Sequence, residues 1–135
     1  MMREAVNDVE NEPLLRETWQ TLMETRDAML EALDLPAERA EQARARLLRY
    51  RLITDARQLR KGSSVYWFDL ADAEQCKFGF VNAVTASADG QNTLVSCSNV
   101  MHRHYTLRFE NCVVFQKLRP QEVMIVNMVT AARRA

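Results

Sequence analysis

The sequence contains few residues that interrupt secondary structure, cross-link the chain or favour tight turns. Glycine, proline and cysteine each occur three times in 135 residues. Three is an odd number of cysteines, and their spacing is not that of a disulfide framework, so we expect free thiols in a reducing compartment. The sequence also lacks a glycine-rich phosphate loop, a nucleophile elbow, a recognisable carboxylate pair, an internal repeat and a low-complexity segment. The motifs that usually indicate an enzyme are therefore missing.

Long apolar runs are also missing. No stretch is apolar for long enough to span a bilayer, and residues 1–8 lack the basic and then apolar order of a secretory signal. We therefore expect no membrane partner, no secretion and an intracellular location in the cytoplasm or nucleus. What is present is ordinary globular usage, with 47% hydrophobic and 27% charged residues. A chain of this length can bury a substantial core, which predicts one compact unit.

The net charge is zero, but the charges are segregated along the chain. Residues 1–35 carry nine acidic and three basic side chains, whereas residues 36–61 carry eight basic and three acidic ones. The remainder is nearly neutral. A polyanion-binding hypothesis therefore depends on the second segment alone.

Two helices are predicted in these charged segments. From Pro13 to Leu35 apolar side chains recur at steps of three and four, and proline suits the first turn of a helix. Pro36 breaks this pattern and opens a second helix over residues 37–52, which is rich in strong helix formers. The short connection favours an antiparallel hairpin with one acidic and one basic arm.

After residue 55 the residue types favour β structure. Five short runs are dense in β-branched and aromatic residues: Ser63–Leu70, Lys77–Thr85, Asn92–Cys97, His102–Glu110 and Cys112–Leu118. Turn signals such as Asp89-Gly90 separate them. Five strands joined by short turns predict a meander, most economically closed as a small barrel or a rolled sheet. In the tail, Pro120, Glu122 and the final arginines match a helix dipole, and we predict a helix although Val-Met-Ile-Val is also typical of a strand.

Three motifs in the β region carry a resemblance to a known family. Leu59–Trp67 contains a Leu-x-x-Gly entry, Gly79 interrupts a strand, and Leu107–Lys117 ends in Val-Phe-x-Lys. In this order they resemble small SH3-like barrel domains encoded by large DNA viruses, over roughly residues 59–118. The resemblance implies a structural or interaction module that is associated with the virion. It implies no active site and supplies no catalytic residues.

Four side chains in one stretch are candidate metal ligands: Cys97, His102, His104 and Cys112. They have the chemistry of a Cys2His2 zinc site, but their spacing is that of neither a zinc finger nor a zinc ribbon. Strand alternation gives a second argument. If Tyr105, Leu107 and Phe109 face the core, both histidines face outward, while the cysteine at 97 points inward. We therefore predict solvent-facing histidines, no metal and no other cofactor.

The polyanion hypothesis uses six basic side chains: Arg39, Arg46, Arg49, Arg57, Arg60 and Lys61. On a helix the first three fall on one arc, where they could contact phosphates. The competing interpretation pairs the arginines of the second helix with carboxylates of the first, or leaves them in solvent. Because the two charge excesses nearly cancel, we favour the competing interpretation.

Aromatic and apolar stripes raise two further hypotheses. Aromatic side chains of small barrels can cage a methylated lysine or stack on bases, but core packing is the simpler interpretation. Alternation sends Trp67 to one face and both Tyr66 and Phe68 to the other, so the helical hairpin is expected to cover the second face. The apolar stripe of the first helix, interrupted at Arg26, suits either self-association or packing within the chain.

Together these patterns predict an α+β protein. An N-terminal antiparallel helical hairpin packs on a small five-stranded SH3-like antiparallel barrel or rolled sheet, followed by a short C-terminal helix. The predicted segments are a flexible N-terminus, the hairpin, the β domain and the helix, at residues 1–11, 12–55, 59–118 and 119–135. We predict a non-enzymatic structural or protein-interaction module that binds another protein or a second copy of itself. The alternatives are a nucleic-acid-binding module using the arginine-rich helix and a small metal- or thiol-dependent enzyme in which Cys112 or another cysteine pairs with a histidine.

Overall fold

A computed structural model describes residues 16–89 and 91–134 of the chain. The helices of this part are α1 (Trp19–Ala32), α2 (Ala37–Arg46) and α3 (Pro120–Arg134). The strands are β1 (Tyr50–Ile53), β2 (Ser64–Asp69), β3 (Asp72–Ala86), β4 (Thr93–Ser98), β5 (His104–Arg108) and β6 (Cys112–Lys117). Short 3-10 turns lie at Ala56–Gln58 and Phe109–Asn111. The predicted flexible segment 1–11, Pro13 and Gly90 of the predicted turn lie outside the described residues. The first helix, predicted from Pro13, begins at Trp19, because Thr18 caps it there.

The strands form one antiparallel sheet in the order β1-β6-β2-β3-β4-β5. The α+β class and the C-terminal helix are therefore confirmed, whereas the strand number differs, with six strands instead of five. The sheet is not closed, because no described strand pairs with the outer edge of β1 or of β5. Among the described helices, none is both long enough and apolar enough to cross a bilayer.

The additional strand arises where the second helix was predicted to continue to residue 52. Helix α2 ends at Arg46, and β1 pairs with β6 in a register that runs from Tyr50 opposite Lys117 to Ile53 opposite Val114. The prediction was wrong beyond residue 46 because leucines at 47, 48 and 52 keep a helical spacing. Pairing with a strand that is distant in the sequence overrides that local pattern.

The ends of α1 are set by local chemistry. At its start, Thr18 Oγ1 accepts the backbone N–H of Thr21 at 3.1 Å, and Thr21 Oγ1 accepts the backbone N–H of Thr18 at 2.8 Å, which is a reciprocal cap. After its end, Asp34 adopts a left-handed φ of 52°. The predicted break before Pro36 is confirmed.

The inner face of the sheet carries the largest apolar cluster. Its buried members are Ile53, Leu59, Val65, Trp67, Val81, Val95, Cys97, Leu107 and Val114. Both edge strands contribute to this cluster, so the sheet curves around its own inner face. Leu107 belongs to it, and Tyr105 and Phe109 pack against it, which confirms the predicted alternation of β5.

The outer face is covered by the helices over β1, β6 and β2. There Phe68, Val113 and Phe115 pack against Leu30 of α1 and Ala43 of α2, so the helices cover the second face as predicted. The apolar stripe of α1 is used within the chain: its first half packs with α3, and its second half packs on the sheet. Self-association through this stripe would require it to be free, and it is not.

The glycine in the middle of β3 has a packing reason. A Cβ at Gly79 would lie 3.2 Å from the carbonyl oxygen of Ser98, 3.3 Å from the Cβ of Cys97 and 3.4 Å from the Trp67 ring. These distances leave no room for a side chain without displacing backbone or core. The interrupted strand that contributes to the SH3-like resemblance is thus a site of close approach.

Candidate functional site

The tip of the β4–β5 hairpin is an ordered turn built around Asn99. The Asn99 Oδ1 accepts the backbone N–H of Met101 at 2.9 Å and that of Arg103 at 3.1 Å. Two backbone bonds close the turn, from Asn99 N–H to the Arg103 carbonyl and from His102 N–H to the Asn99 carbonyl, both at 3.0 Å. His102 takes a left-handed φ of 61° inside it. An asparagine that bonds the backbone ahead of it fixes the shape of such a turn.

This turn presents two adjacent apolar side chains to solvent. Val100 is 76% exposed and Met101 is 74% exposed, the two highest values among the exposed large hydrophobic side chains. Neither belongs to any of the three apolar clusters. Exposed apolar side chains that occur singly need no explanation, but an adjacent pair held by a fixed turn is typical of a contact site. We call residues Asn99–Arg103 the tip.

Beside the tip, the outer face of β4, β5 and the C-terminal half of β3 is not covered by the helices, whereas the N-terminal half of β3 lies beside α2. The register places Ala83, Ser96 and Thr106 in one row and Thr85, Leu94 and Arg108 in the next, with Ser98 opposite His104 nearest the tip. These side chains are exposed or half-buried. No Asp, Glu or Lys lies among them. We call this set of eight side chains the open face, and it ends at the unpaired edge of β5.

The charges around the tip and the open face are mostly positive. Arg103 and Arg108 are exposed. The Glu110 carboxylate lies 3.9 Å from Arg108 Nε and accepts the backbone N–H of Thr93 at 3.1 Å. This hydrogen bond is the main cause that lowers the pKa of Glu110, with a smaller contribution from the guanidinium of Arg108. A partner that approaches this surface therefore meets cations and apolar groups before it meets a free carboxylate.

The four candidate metal ligands are not brought together. His102 and His104 are exposed, whereas Cys97 is fully buried in the inner cluster on the opposite face of the sheet. Cys112 packs against the same inner cluster. In the part of the chain that the structure describes, no group of three or more histidine, cysteine or carboxylate side chains could hold a metal ion.

The three thiols are poor nucleophiles in this environment. Burial raises the pKa of Cys76 and of Cys97 to about 11, although Arg46 opposes the shift at Cys76. Burial also raises the pKa of Cys112, and the Asp69 carboxylate adds to that rise. Because the thiolate is the reactive form, raised values disfavour nucleophilic chemistry.

Labelling of the folded protein by a thiol reagent near neutral pH is therefore expected to be slow. A pKa near 11 lowers the thiolate fraction by roughly a hundredfold relative to an ordinary thiol of pKa near 9, and burial limits access further. The measurement is the rate of Ellman's reaction with and without denaturant. Rapid reaction of one thiol in the folded protein would contradict this expectation and favour the thiol-enzyme alternative.

Two members of the predicted polyanion set are engaged in ion pairs. Arg57 Nη2 lies 2.6 Å from Asp55 Oδ2, and this contact lowers the pKa of the Asp55 carboxyl. Arg60 Nη2 lies 3.0 Å from Glu122 Oε1, and only 15% of the Arg60 side chain is exposed. Lys61 is exposed in the following turn.

The other three arginines of the set do not share one surface with these. The guanidinium of Arg49 lies 5.6 Å from the centroid of the Trp19 ring. Arg39 and Arg46 line a narrow cleft between α2 and β3, and Arg39 Nη1 donates to the carbonyl of Glu74 at 3.1 Å. The structure thus distributes the six predicted polyanion contacts over several places.

The favoured interpretation gave the arginines of the second helix either ion pairs with the acidic helix or exposure to solvent, and these ion pairs are not found among the described residues. Arg44 of α2 lies in a cleft with Asp27, Glu31 and Asp34, but within the described residues no ion pair joins α1 to α2. Arg26, which interrupts the apolar stripe, is itself buried and pairs with Asp27 on its own helix at 3.0 Å. The opposite net charges of the two helices therefore did not predict individual ion pairs between them.

The aromatic side chains pack mainly on one another. Trp67, Phe68 and Phe115 are 3% exposed or less, which confirms core packing for them. On the outer face a row of half-buried rings runs from Tyr50 through Tyr66 and Phe78 to Phe80, with successive ring centroids 5.1, 4.9 and 5.3 Å apart.

Sequence reasoning missed a buried polar network at the start of α3. Glu122 is 1% exposed, and its Oε1 accepts the backbone N–H of Arg119 at 2.9 Å and the Nε–H of the same residue at 3.2 Å, besides the contact to Arg60. Gln116, also 1% exposed, accepts the backbone N–H of Arg60 at 2.9 Å. Arg51 of β1 is 6% exposed. Polar and charged residues of these types are usually found at the surface, so the sequence did not predict their burial. Only Glu122, at the third position of α3, could be recognised from the sequence as a helix-capping residue.

Comparison with known proteins gives no neighbour. No protein-family model, no curated protein and no solved structure matches this chain. The case for a function therefore rests on the geometry of the described residues.

Proposed function

We propose that this protein is a non-enzymatic interaction module that binds another protein through the tip and the adjoining open face. The observation that carries the proposal is the pair Val100 and Met101, each about three-quarters exposed and held by the hydrogen bonds of Asn99. An apolar pair in a rigid turn contributes nothing to this chain's own clusters. It loses little conformational freedom at the backbone when a partner covers it.

The composition of the surface supports this proposal. Protein interfaces are depleted in Lys, Glu, Asp, Ser and Ala and enriched in Met, Arg and aromatic residues, with a few central anchors that supply most of the affinity. The open face has no Asp, Glu or Lys but includes two serines and an alanine, whereas the tip offers a methionine and an arginine close together. The composition therefore favours the tip as the centre of the contact. With Arg103 and Arg108 nearby, the partner that fits is a protein with an apolar pocket rimmed by carboxylates.

The strand arrangement supports an SH3-like assignment for the β region as part of this proposal. Strands β2 to β5 form a meander, and β6 returns to pair with β2, which is the strand order that the resemblance implies. A short 3-10 turn lies between β5 and β6. The resemblance implies an interaction module, and β1 adds a strand to one edge of the open sheet.

The test compares the tip with a second exposed apolar side chain. The double variant V100S/M101S is expected to weaken binding to the partner at least tenfold, because loss of an interface anchor exceeds about 1.4 kcal/mol. Leu70, 56% exposed at the β2–β3 turn, gives the matched control L70S, for which affinity is expected to stay unchanged. Partners are captured with each protein from cells in which it occurs, and dissociation constants are then measured with the purified partner.

Two outcomes would overturn the proposal. One is an identical set of captured proteins and equal affinities for the wild type and both variants. The other is a dimer by light scattering that the tip variant, but not L70S, converts to a monomer. In that case the surface binds a second copy of this chain.

A further inference from the structure

A second feature, separate from the tip, is a small cavity with polar and apolar walls at the free edge of β1. It has a volume of about 130 Å3 and lies between α1, β1 and the 3-10 turn at Ala56–Gln58. Its polar lining is formed by Glu17, Thr25, Arg51, Thr54 and Gln58. The leucines at positions 22 and 52 supply its apolar wall.

Arg51 is the residue that makes this cavity unusual. It is 6% exposed, its Nε has no hydrogen-bond partner, and no described carboxylate lies within 4 Å of its guanidinium. Burial lowers the pKa of Arg51, against the attraction of Glu122 and Glu17. A guanidinium stays charged in proteins, so this residue keeps a buried charge whose hydrogen bonds are not all made. Such a group destabilises the fold unless something else binds it.

The cavity offers acceptors as well as this donor. The Oε1 of Gln58 is buried and accepts no hydrogen bond. The Glu17 carboxylate uses Oε2 to accept the hydroxyl of Thr21 at 2.6 Å and also lines the cavity. A ligand with a carboxylate for Arg51 and an N–H for Gln58 or Glu17 would satisfy both kinds of group, with the hydroxyls of Thr25 and Thr54 beside it.

We infer that this cavity binds a carboxylate that has an N–H on the neighbouring carbon, as in a free α-amino acid or the C-terminal residue of a peptide. Arg51 forms the charge-assisted hydrogen bonds to the carboxylate, and Gln58 and Glu17 accept the N–H. The volume suits a small side chain that rests on the two leucines. This site goes beyond the proposed interaction surface and uses none of its residues.

The test is an NMR titration of the full-length protein with three matched probes. These are L-alanine, N-acetyl-L-alanine and N-acetyl-L-alanine amide, and the last lacks the carboxylate. We expect saturable shifts of backbone amides in β1 and the N-terminal half of α1 with at least one of the two acids, and none with the amide. Binding of L-alanine alone indicates a free amino acid, whereas binding of N-acetyl-L-alanine indicates a peptide C-terminus.

Variants decide whether Arg51 carries the binding. R51Q is expected to lower the affinity for the bound acid at least tenfold, since its charge-assisted hydrogen bonds are lost. T25V, on the exposed side of α1, is expected to weaken it several-fold without disturbing the fold. R57Q, which alters an exposed guanidinium paired with Asp55, is the control and is expected to bind like the wild type. Equal shifts with the amide probe, no shift with either acid, or unchanged binding in R51Q and T25V would overturn the inference.

Discussion

Replacing Phe115 with alanine is expected to lower the free energy of unfolding by about 3–5 kcal/mol, the usual loss for a fully buried aromatic side chain. Phe115 is 0% exposed and stands at an angle of 81° to the ring of Phe68, with centroids 6.3 Å apart. It belongs to the cluster that joins the sheet to α1 and α2. Truncation therefore opens a cavity in the layer where these helices pack on the sheet. Urea denaturation followed by circular dichroism measures the loss.

The matched control for this prediction is F80A. Phe80 is half-buried at the end of the aromatic row on the same face of the sheet, so its truncation leaves a space that water can fill. A clearly smaller loss is expected, because only part of the ring is removed from water in the native state. Equal losses in the two variants would mean that the helices do not depend on the layer around Phe115.

Replacing Glu122 with alanine is expected to lower the free energy of unfolding by roughly 2–4 kcal/mol, somewhat below the usual loss for breaking a fully buried ion pair because its partners are partly exposed. The carboxylate is buried and holds Arg119 and Arg60 at 3.2 and 3.0 Å. Without it, two guanidinium groups lose their shared acceptor, and Arg51 loses the carboxylate that most favours its charged form. The start of α3 also loses the acceptor for the Arg119 backbone N–H.

Two further variants serve as controls for E122A. E38A removes an exposed carboxylate from the first turn of α2, and its loss should stay within about 1 kcal/mol, as for a charge at a helix N-terminus. E122Q keeps the size and one acceptor oxygen, and its stability should fall between that of E122A and the wild type. If E122A and E38A were equally stable, the network at the start of α3 would contribute no net stability.

Some parts of this fold follow from local pattern and others do not. The alternation of Tyr105 and Leu107 predicted that His104 faces outward, and the apolar side of the preceding strand, with Val95, predicted that Cys97 faces inward, because one buried face of a strand fixes the other. His102, which was predicted to belong to the strand, lies in the turn before it. The proline at position 36 predicted a break in the helical pattern, because proline keeps the preceding residue out of the helical region, and α1 ends a few residues earlier, at Ala32. Features of this kind can be predicted because they depend on only a few adjacent residues.

The sheet edge and the candidate cavity could not be predicted in this way. Tyr50–Ile53 became a strand only because β6 lies beside it, and its own residues suit a helix equally well. The burial of Arg51 and Glu122 depends on elements from three parts of the chain, and each residue by itself is typical of a surface. The sequence did not predict an apolar site at the tip, because Val100 and Met101 lie next to histidines that suggested metal binding.

The pairing of β1 with β6 also orders events during synthesis. The residues that α1 and α2 cover include Val113 and Phe115, and β1 finds its partner strand nearly half the chain length later. Contacts between distant segments are slow to form and cannot precede the synthesis of both segments. On the ribosome β1 therefore has no partner strand, and the layer under the two helices lacks Val113 and Phe115, until residue 117 has emerged from the exit tunnel. The N-terminal segment that contains β1 can therefore complete its packing only after the last strand has been synthesised.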